Sequence, residues 1–257
     1  MAHQIGLCLG VFCGVAIAAT IAVQIDYDLT GDNDTVIQEV APSYDICDLC
    51  KCDEPDNLPL HIDCSSIELE KVPESLENVG ENRSVTVDFS YNNFSNIPGF
   101  PEIKIWEMDF SHNEIYSIDK YVFTNISNDL LHLDLGDNKI DAAGLDDDSF
   151  AKDMVEDDTP FVLIDLSLAN NRIHSLPPAI FARLGNLEDL DLSFNPLGDI
   201  DDSTATAIGS VVSLHFISLK ECELSFLPGP LLSGLTQLMR LDLSGNYFTS
   251  VDPRISS

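Results

Sequence analysis

The stretch LDLSGNYF, residues 241–248, decides the fold, because six looser copies of it lie upstream. They read VDFSYNNF (87–94), MDFSHNEI (108–115), LDLGDNKI (133–140), LSLANNRI (166–173), LDLSFNPL (190–197) and ISLKECEL (217–224). All fit apolar-x-apolar-x-x-Asn-x-apolar, with cysteine for asparagine in the sixth. The asparagine position falls at 92, 113, 138, 171, 195, 222 and 246, so the intervals are 21, 25, 33, 24, 27 and 24 residues. Most copies carry a further apolar residue three places before the first: Ile105, Leu130, Leu163, Leu187, Leu214 and Leu238.

Alternation of apolar and polar residues predicts a short strand with one buried face. Three or four inward side chains are too few to hold such a strand folded alone. Stacked copies place strand beside strand and bury the inward rows as one continuous core. After each strand the backbone must turn, leaving N–H and C=O groups inside the coil without ladder partners. An inward asparagine amide both donates and accepts and so satisfies them. Cys222 in that place reads as a small buried hydrophobe with an unreactive thiol.

This spacing resembles the leucine-rich repeat family, whose pattern is L-x-x-L-x-L-x-x-N/C-x-L with a period of 20–29 residues. The likeness covers about residues 60–257. The second halves of the repeats, such as IHSLPPAIFARLGNLEDL (173–190) and LSFLPGPLLSGLTQLMRL (224–241), resemble the animal extracellular subclass, with Phe123 in the place of Phe181. The resemblance implies an α/β solenoid: a leucine-rich repeat horseshoe with a parallel β-sheet on the concave face and short helical or extended turns outside.

An open stack needs a lid at each end. CDLCKCDEPDNLPLHIDC (47–64) spells C-x2-C-x-C-x11-C and resembles the cysteine-rich N-terminal cap of extracellular members. The resemblance implies pairs Cys47–Cys52 and Cys50–Cys64. Spacing alone allows three pairings, and a four-cysteine zinc site or a Cys-x-x-Cys redox motif are the rival readings. No cysteine follows Cys222, so the cysteine-rich C-terminal cap usual in related proteins is not seen. Leu241, Leu243, Phe248 and Val251 are then expected at an unsealed face, left by a truncated gene product or covered by a partner, including a second copy of the chain.

The expected organisation is a signal peptide at 1–23, an acidic flexible leader at 24–46, the cap at 47–75 and about seven repeats at 76–257, with an acidic insertion at 141–160. IGLCLGVFCGVAIAATIAV (5–23) carries no charge and closes with small residues, as before a signal-peptidase site, although its start lacks Lys and Arg. A retained membrane anchor is the alternative. Removal of this segment leaves five cysteines for an oxidising, secretory compartment. Asn33, Asn82, Asn93 and Asn125 begin Asn-x-Ser/Thr triplets and are the glycosylation candidates.

Asp and Glu number 44 against 12 Lys and Arg, a formal net charge of −32. Such a surface repels nucleic acid and anionic lipid and suits basic partners or cations. The insertion holds Asp146, Asp147, Asp148, Asp153, Glu156, Asp157 and Asp158 without a D-x-[DN]-x-[DN]-G calcium spacing, so a solvated loop is the plain reading.

Residues between the inward ones face the concave surface. One column reads Asp88, Asp109, Asp134, Ser167, Asp191, Ser218, Asp242, and its neighbour Thr86, Glu107, His132, Asp165, Asp189, Phe216, Arg240. Like charges about 4.8 Å apart on adjacent strands repel by roughly 0.9 kcal/mol in water. The columns therefore favour a basic ligand, although LDLS is also ordinary spelling for these repeats. Glu107, Asp109, His132, Asp134, Asp165, Asp189, Asp191, Phe216, Arg240 and Asp242 are the candidate partner-binding residues. Phe216 and Arg240, which break the acidic run, are the specificity candidates. No catalytic or phosphate-binding motif occurs, and His112, His132, His174 and His215 fall in different repeats. The expectation is a secreted, non-enzymatic protein without cofactor, binding a protein or matrix component. An anionic cation-gathering matrix component and a receptor ectodomain are the alternatives.

Overall fold

The computed structural model describes residues 46–249 apart from 55–58, 73–75, 77–78, 80–83, 127 and 154–160. The apolar segment 5–23, Asn33, Asn82, the acidic run Glu156–Asp158 and Val251 lie outside the described residues. No helix among those described is long and apolar enough to cross a membrane.

The element order is α1 (Ile46–Leu49), β1 (Lys51–Asp53), β2 (Leu60–Asp63), β3 (Val85–Asp88), β4 (Ile105–Asp109), β5 (His132–Asp134), a 3-10 turn (Ala142–Gly144), β6 (Asp165–Ser167), β7 (Asp189–Asp191), α2 (Asp202–Gly209), β8 (Phe216–Ser218), α3 (Gly229–Ser233) and β9 (Arg240–Asp242). The strands form one sheet in sequence order. From β2 to β9 every pairing is parallel, whereas β1 runs antiparallel against β2. The repeats align residue for residue, Glu107 opposite His132, then Asp165, Asp189, Phe216 and Arg240. A register shift between β3 and β4 places Trp106 as an extra residue beside Val85 and Thr86.

The spine is dry. Val87, Met108, Leu133, Leu166, Leu190 and Ile217 are at most 2% exposed, and Phe89, Phe110, Leu135, Leu168, Leu192 and Leu219 are fully buried. Each such side chain contributes roughly 1.5–3 kcal/mol, which no single repeat collects without its neighbours. On the outer side Phe123 stacks on Phe150 at a centroid distance of 5.9 Å, and Phe150 packs against a tilted Phe181 at 6.2 Å.

Phe150 corrects the extent of the acidic insertion expected at 141–160. It fills the same slot as Phe123 and Phe181, and Leu145 and Ala151 are buried with it. Asp141 caps the 3-10 turn by accepting from the N–H groups of Ala143 and Gly144. Residues 141–151 are thus an ordinary outer half-repeat with charged solvent-facing positions. Aspartate density hides this in the sequence, because only Leu145, Ser149, Phe150 and Ala151 need face inward.

The asparagines act as expected. Asn138 accepts from the Ile115 N–H at 3.0 Å and donates to the carbonyls of Phe110, Leu135 and Gly136 at 2.9, 3.1 and 3.0 Å. Asn92, Asn113, Asn171, Asn195 and Asn246 repeat the arrangement. Successive amides share carbonyls: Phe110 O accepts from Asn113 as well as Asn138, and Leu135 O from Asn138 as well as Asn171. Where Cys222 replaces asparagine, its thiol donates to Leu192 O at 3.1 Å but supplies no acceptor to the turn before it. The Leu197 N–H turns instead to Asn195 O at 2.8 Å.

The residue before each of these positions has a left-handed backbone: Tyr91, His112, Asp137, Asn170, Phe194, Glu221 and Gly245, with φ between 51° and 71°. For a residue with a Cβ this costs roughly 1–2 kcal/mol. The buried amide that follows holds the turn closed and offsets the cost.

Burial pushes the Cys222 thiol up to about 11, with the nearby Asp191 and Glu223 adding to it. A thiol with that value is about 0.1% thiolate at pH 8, and only the thiolate is nucleophilic. Iodoacetamide is therefore expected to leave Cys222 unmodified in the native protein and to alkylate it in urea, as read by mass spectrometry of its peptide. Labelling at equal rates in both conditions would contradict the buried placement.

At the N-terminal end Cys47 pairs with Cys52 and Cys50 with Cys64. The four cysteines are thereby removed from the zinc and redox readings. The first bond ties α1 to β1, and the second ties the residue between them to the residue that follows β2. Strand β1 covers the sheet edge that a parallel stack would leave open. Ile46, assigned to the leader by its sequence context, is fully buried and opens α1, so the packed cap begins no later than this residue.

Candidate ligand-binding face

A hollow of about 350 Å³ lies on the concave face of β4–β8. Glu107, Asp109, His132, Asp134, Asp165, Asp189, Asp191 and Phe216 all line it. Arg240 and Asp242 are on the next rung: the Arg240 guanidinium lies 4.5 Å from the Phe216 ring centre, and Asp242 is opposite Ser218. The concave columns read from the sequence therefore come together on one surface.

The two columns differ in chemistry. In the first, each aspartate caps the turn that follows its strand. Backbone N–H groups two residues on donate to Asp88, Asp109, Asp134, Asp191 and Asp242 at 2.7–2.9 Å. One carboxylate oxygen of each is committed to the fold, which explains why the LDLS spelling recurs. The second column carries no such duty. There His132 Nδ1 pairs with Asp165 Oδ2, and Phe216 carries Arg240 on its ring.

Burial shifts two of these carboxyls, with the neighbouring like charges adding to it. Burial raises the Asp109 carboxyl above its ordinary value, aided by Asp134 and Asp88, while hydrogen bonds from Ser111 act the other way. Asp189 is raised by burial and then by a hydrogen bond with Asp165, with Glu188 adding. A carboxyl with a folded-state value above the unfolded one binds its proton more tightly when folded. Its penalty is present in full above the folded value and vanishes below the ordinary one near 3.8. Asp109→Asn keeps an acceptor for the Ser111 N–H and removes the charge. The variant is expected to be more stable than the parent by about 1 kcal/mol at pH 7. The difference should close by pH 3 and shrink in high salt, as followed by urea denaturation. A less stable variant at pH 7 would show the charge to be neutralised within the fold.

Asp146, Asp147 and Asp148 are paired with groups of the neighbouring repeats. Asp146 and Asp148 flank Lys120, Asp148 also accepts from the Tyr121 hydroxyl, and Asp147 accepts from the Ala179 N–H. Among the described residues no group of three or more His, Cys, Asp or Glu is arranged to hold a metal ion. Of the glycosylation candidates, Asn93 and Asn125 are exposed, and the Asn125 amide donates to Phe100 O at 2.7 Å.

Two features escape the sequence reading. Tyr91 stacks on His112 at 4.1 Å along the left-handed column, a position where residue types follow no pattern. Trp106, Leu131 and Ile164 form a second row beside Glu107, His132 and Asp165. Strict alternation does not single them out, because each directly follows an inward residue and precedes a second outward one.

Repeated strand, asparagine ladder and outer half define a leucine-rich repeat solenoid whose N-terminal cap is disulfide-bonded. The chain carries leucine-rich repeats: family models for "Leucine Rich repeats (2 copies)" and "Leucine Rich Repeat" match residues 162–205 and 237–257. It is similar to keratocan of Gallus gallus, 28% identical over 178 residues, covering 62% of this chain and 50% of keratocan. It is also similar to tsukushi of Gallus gallus, 28% identical over 198 residues, covering 75% of this chain and 50% of tsukushi. The chain thus spans half the length of either relative. Among solved structures, the TLR13–ssRNA13 complex aligns with 25% identity over 65% of this chain and 26% of that one, at a TM-score of 0.48.

Proposed function

We propose that the protein is secreted, has no catalytic activity and binds a basic protein or matrix component on its concave face. The carrying observation is the outward column of Glu107, Asp165 and Asp189, which lines the hollow and is not used to cap turns as the neighbouring aspartates are. Two disulfides support an oxidising compartment, where such bonds persist. An open surface of this kind offers little to hold a reacting group away from water, which supports binding over catalysis.

The test is surface plasmon resonance of the purified protein against a panel of secreted proteins with isoelectric points above 9. Binding to at least one member is expected, weakening as salt rises. The triple variant Glu107→Gln, Asp165→Asn, Asp189→Asn should lose it at least tenfold. Undiminished binding by that variant, or no binding to any member, refutes the reading. Secretion is checked separately: the protein should reach the culture medium with its N-terminus between residues 19 and 24, and retention in the membrane fraction would favour an anchor.

A further inference from the structure

Beside the acidic hollow lies an apolar edge. Trp106, Leu131 and Ile164 occupy the same place on three successive rungs, linked by hydrogen bonds from the Leu131 N–H to Trp106 O at 2.9 Å and from the Ile164 N–H to Leu131 O at 2.8 Å. Trp106 is 40% exposed, and Leu131 and Ile164 are only partly buried. Their chain neighbours Ile105, Leu130 and Leu163 are fully buried and supply the packing. The core therefore does not need the outer three. A large aromatic and two aliphatic side chains stand partly in water, beside Glu107, His132 and Asp165.

We propose that this edge seats a cationic amphipathic helix of a partner protein, its apolar stripe on Trp106, Leu131 and Ile164 and its Lys and Arg side chains over Glu107, Asp165 and Asp189. This rests on the reading that the concave face receives a basic ligand, and it names the form of that ligand.

Three geometric facts select a helix. Adjacent rungs are about 4.8 Å apart, and a helix laid across them presents one side chain per turn of about 5.4 Å. Over two steps the mismatch is about 1.2 Å. An extended segment repeats a face every 6.6 Å or so and is about 3.6 Å out of step by the third rung. Residues at i, i+4 and i+7 of a helix thus meet the three apolar positions in order. Along the strands, the apolar edge and the capping aspartate column are three residues apart, about 10 Å, close to the 10–12 Å width of a helix. One helix covers both without a gap. Charge complementarity is provided by the chain as a whole, with its formal net charge of −32.

Trp106 is the sole tryptophan in the chain, so its emission reports directly on this edge. The full chain is titrated with three synthetic peptides of equal charge: Leu and Lys at helical amphipathic spacing, the same residues in strict alternation, and oligolysine. The helical pattern is expected to give a saturable blue shift at a concentration at least tenfold below the other two. The variant Leu131→Ser, Ile164→Ser, which keeps the tryptophan, should weaken that peptide at least tenfold with an unchanged far-ultraviolet circular dichroism spectrum. If the alternating peptide binds equally well, the helix is wrong. If oligolysine binds equally well, or the double variant binds undiminished, the apolar seat is wrong while the acidic face stands. If none of the three binds, the basic-ligand reading itself falls.

Discussion

Asn113→Ala and Asn138→Ala combined are expected to lower the unfolding free energy by more than the sum of the two single changes. Each single change leaves one buried N–H without an acceptor, that of Phe94 for Asn113 and that of Ile115 for Asn138. An orphaned buried group costs about 1–3 kcal/mol. The carbonyl of Phe110 survives either single change, because it accepts from both amides, at 3.1 and 2.9 Å. Only the double variant strips it of both amides. The excess, about 1–2 kcal/mol, is read from a double-mutant cycle in urea. The pair Asn113→Ala and Asn195→Ala, which share no carbonyl, should add. Simple additivity in the adjacent pair would mean that the amides act separately and the ladder is not one network. Because repeats unfold as neighbour-coupled units, fluorescence and circular dichroism transitions should both be recorded and compared.

Phe150→Ala is expected to cost about 3–5 kcal/mol, as for other buried Phe to Ala changes. Phe150 is fully buried between Phe123 and Phe181, so the change interrupts the outer stack in the middle of the array. Phe150→Leu, which keeps most of the volume, should cost far less, about 1.5 kcal/mol or under. Both values come from urea denaturation monitored by circular dichroism. A loss below about 1 kcal/mol for Phe150→Ala would restore the view of 141–160 as an unpacked acidic loop, since only a side chain outside the core is so cheaply removed.

Phe150 also illustrates how far the sequence can be read. The period-2 alternation at the strands is dense: every copy has two inward residues separated by one, followed three places later by an amide or thiol. Strand positions, the asparagine role and the buried Cys222 are therefore legible residue by residue. The outer halves scatter three or four inward residues among many solvent-facing ones, and the spacing changes from repeat to repeat: Ile118, Phe123 and Ile126 in one, Leu176, Ile180, Phe181 and Leu184 in another. Aspartates at 146–148 then dominate the local composition and disguise a packed segment.

The concave face shows the same division. Local alternation determined, without any coordinates, which side chains leave the core, and it put Glu107, His132, Asp165 and Asp189 in one column, because a parallel register is dictated by stacking identical units. It could not decide what each carboxylate does. Asp109 and Asp165 look alike in the chain, yet one accepts from the N–H of Ser111 and the other pairs with His132 on a neighbouring rung. Nor could it find the apolar edge. Trp106 lies beside Leu131, and Leu131 beside Ile164, only because segments 25 and 33 residues apart in the chain (106 to 131, 131 to 164) become adjacent rungs. Burial follows from local pattern, whereas neighbours across rungs depend on how much chain each outer half takes up before the next strand begins. That length varies from repeat to repeat, and only the folded stack brings its consequences into contact.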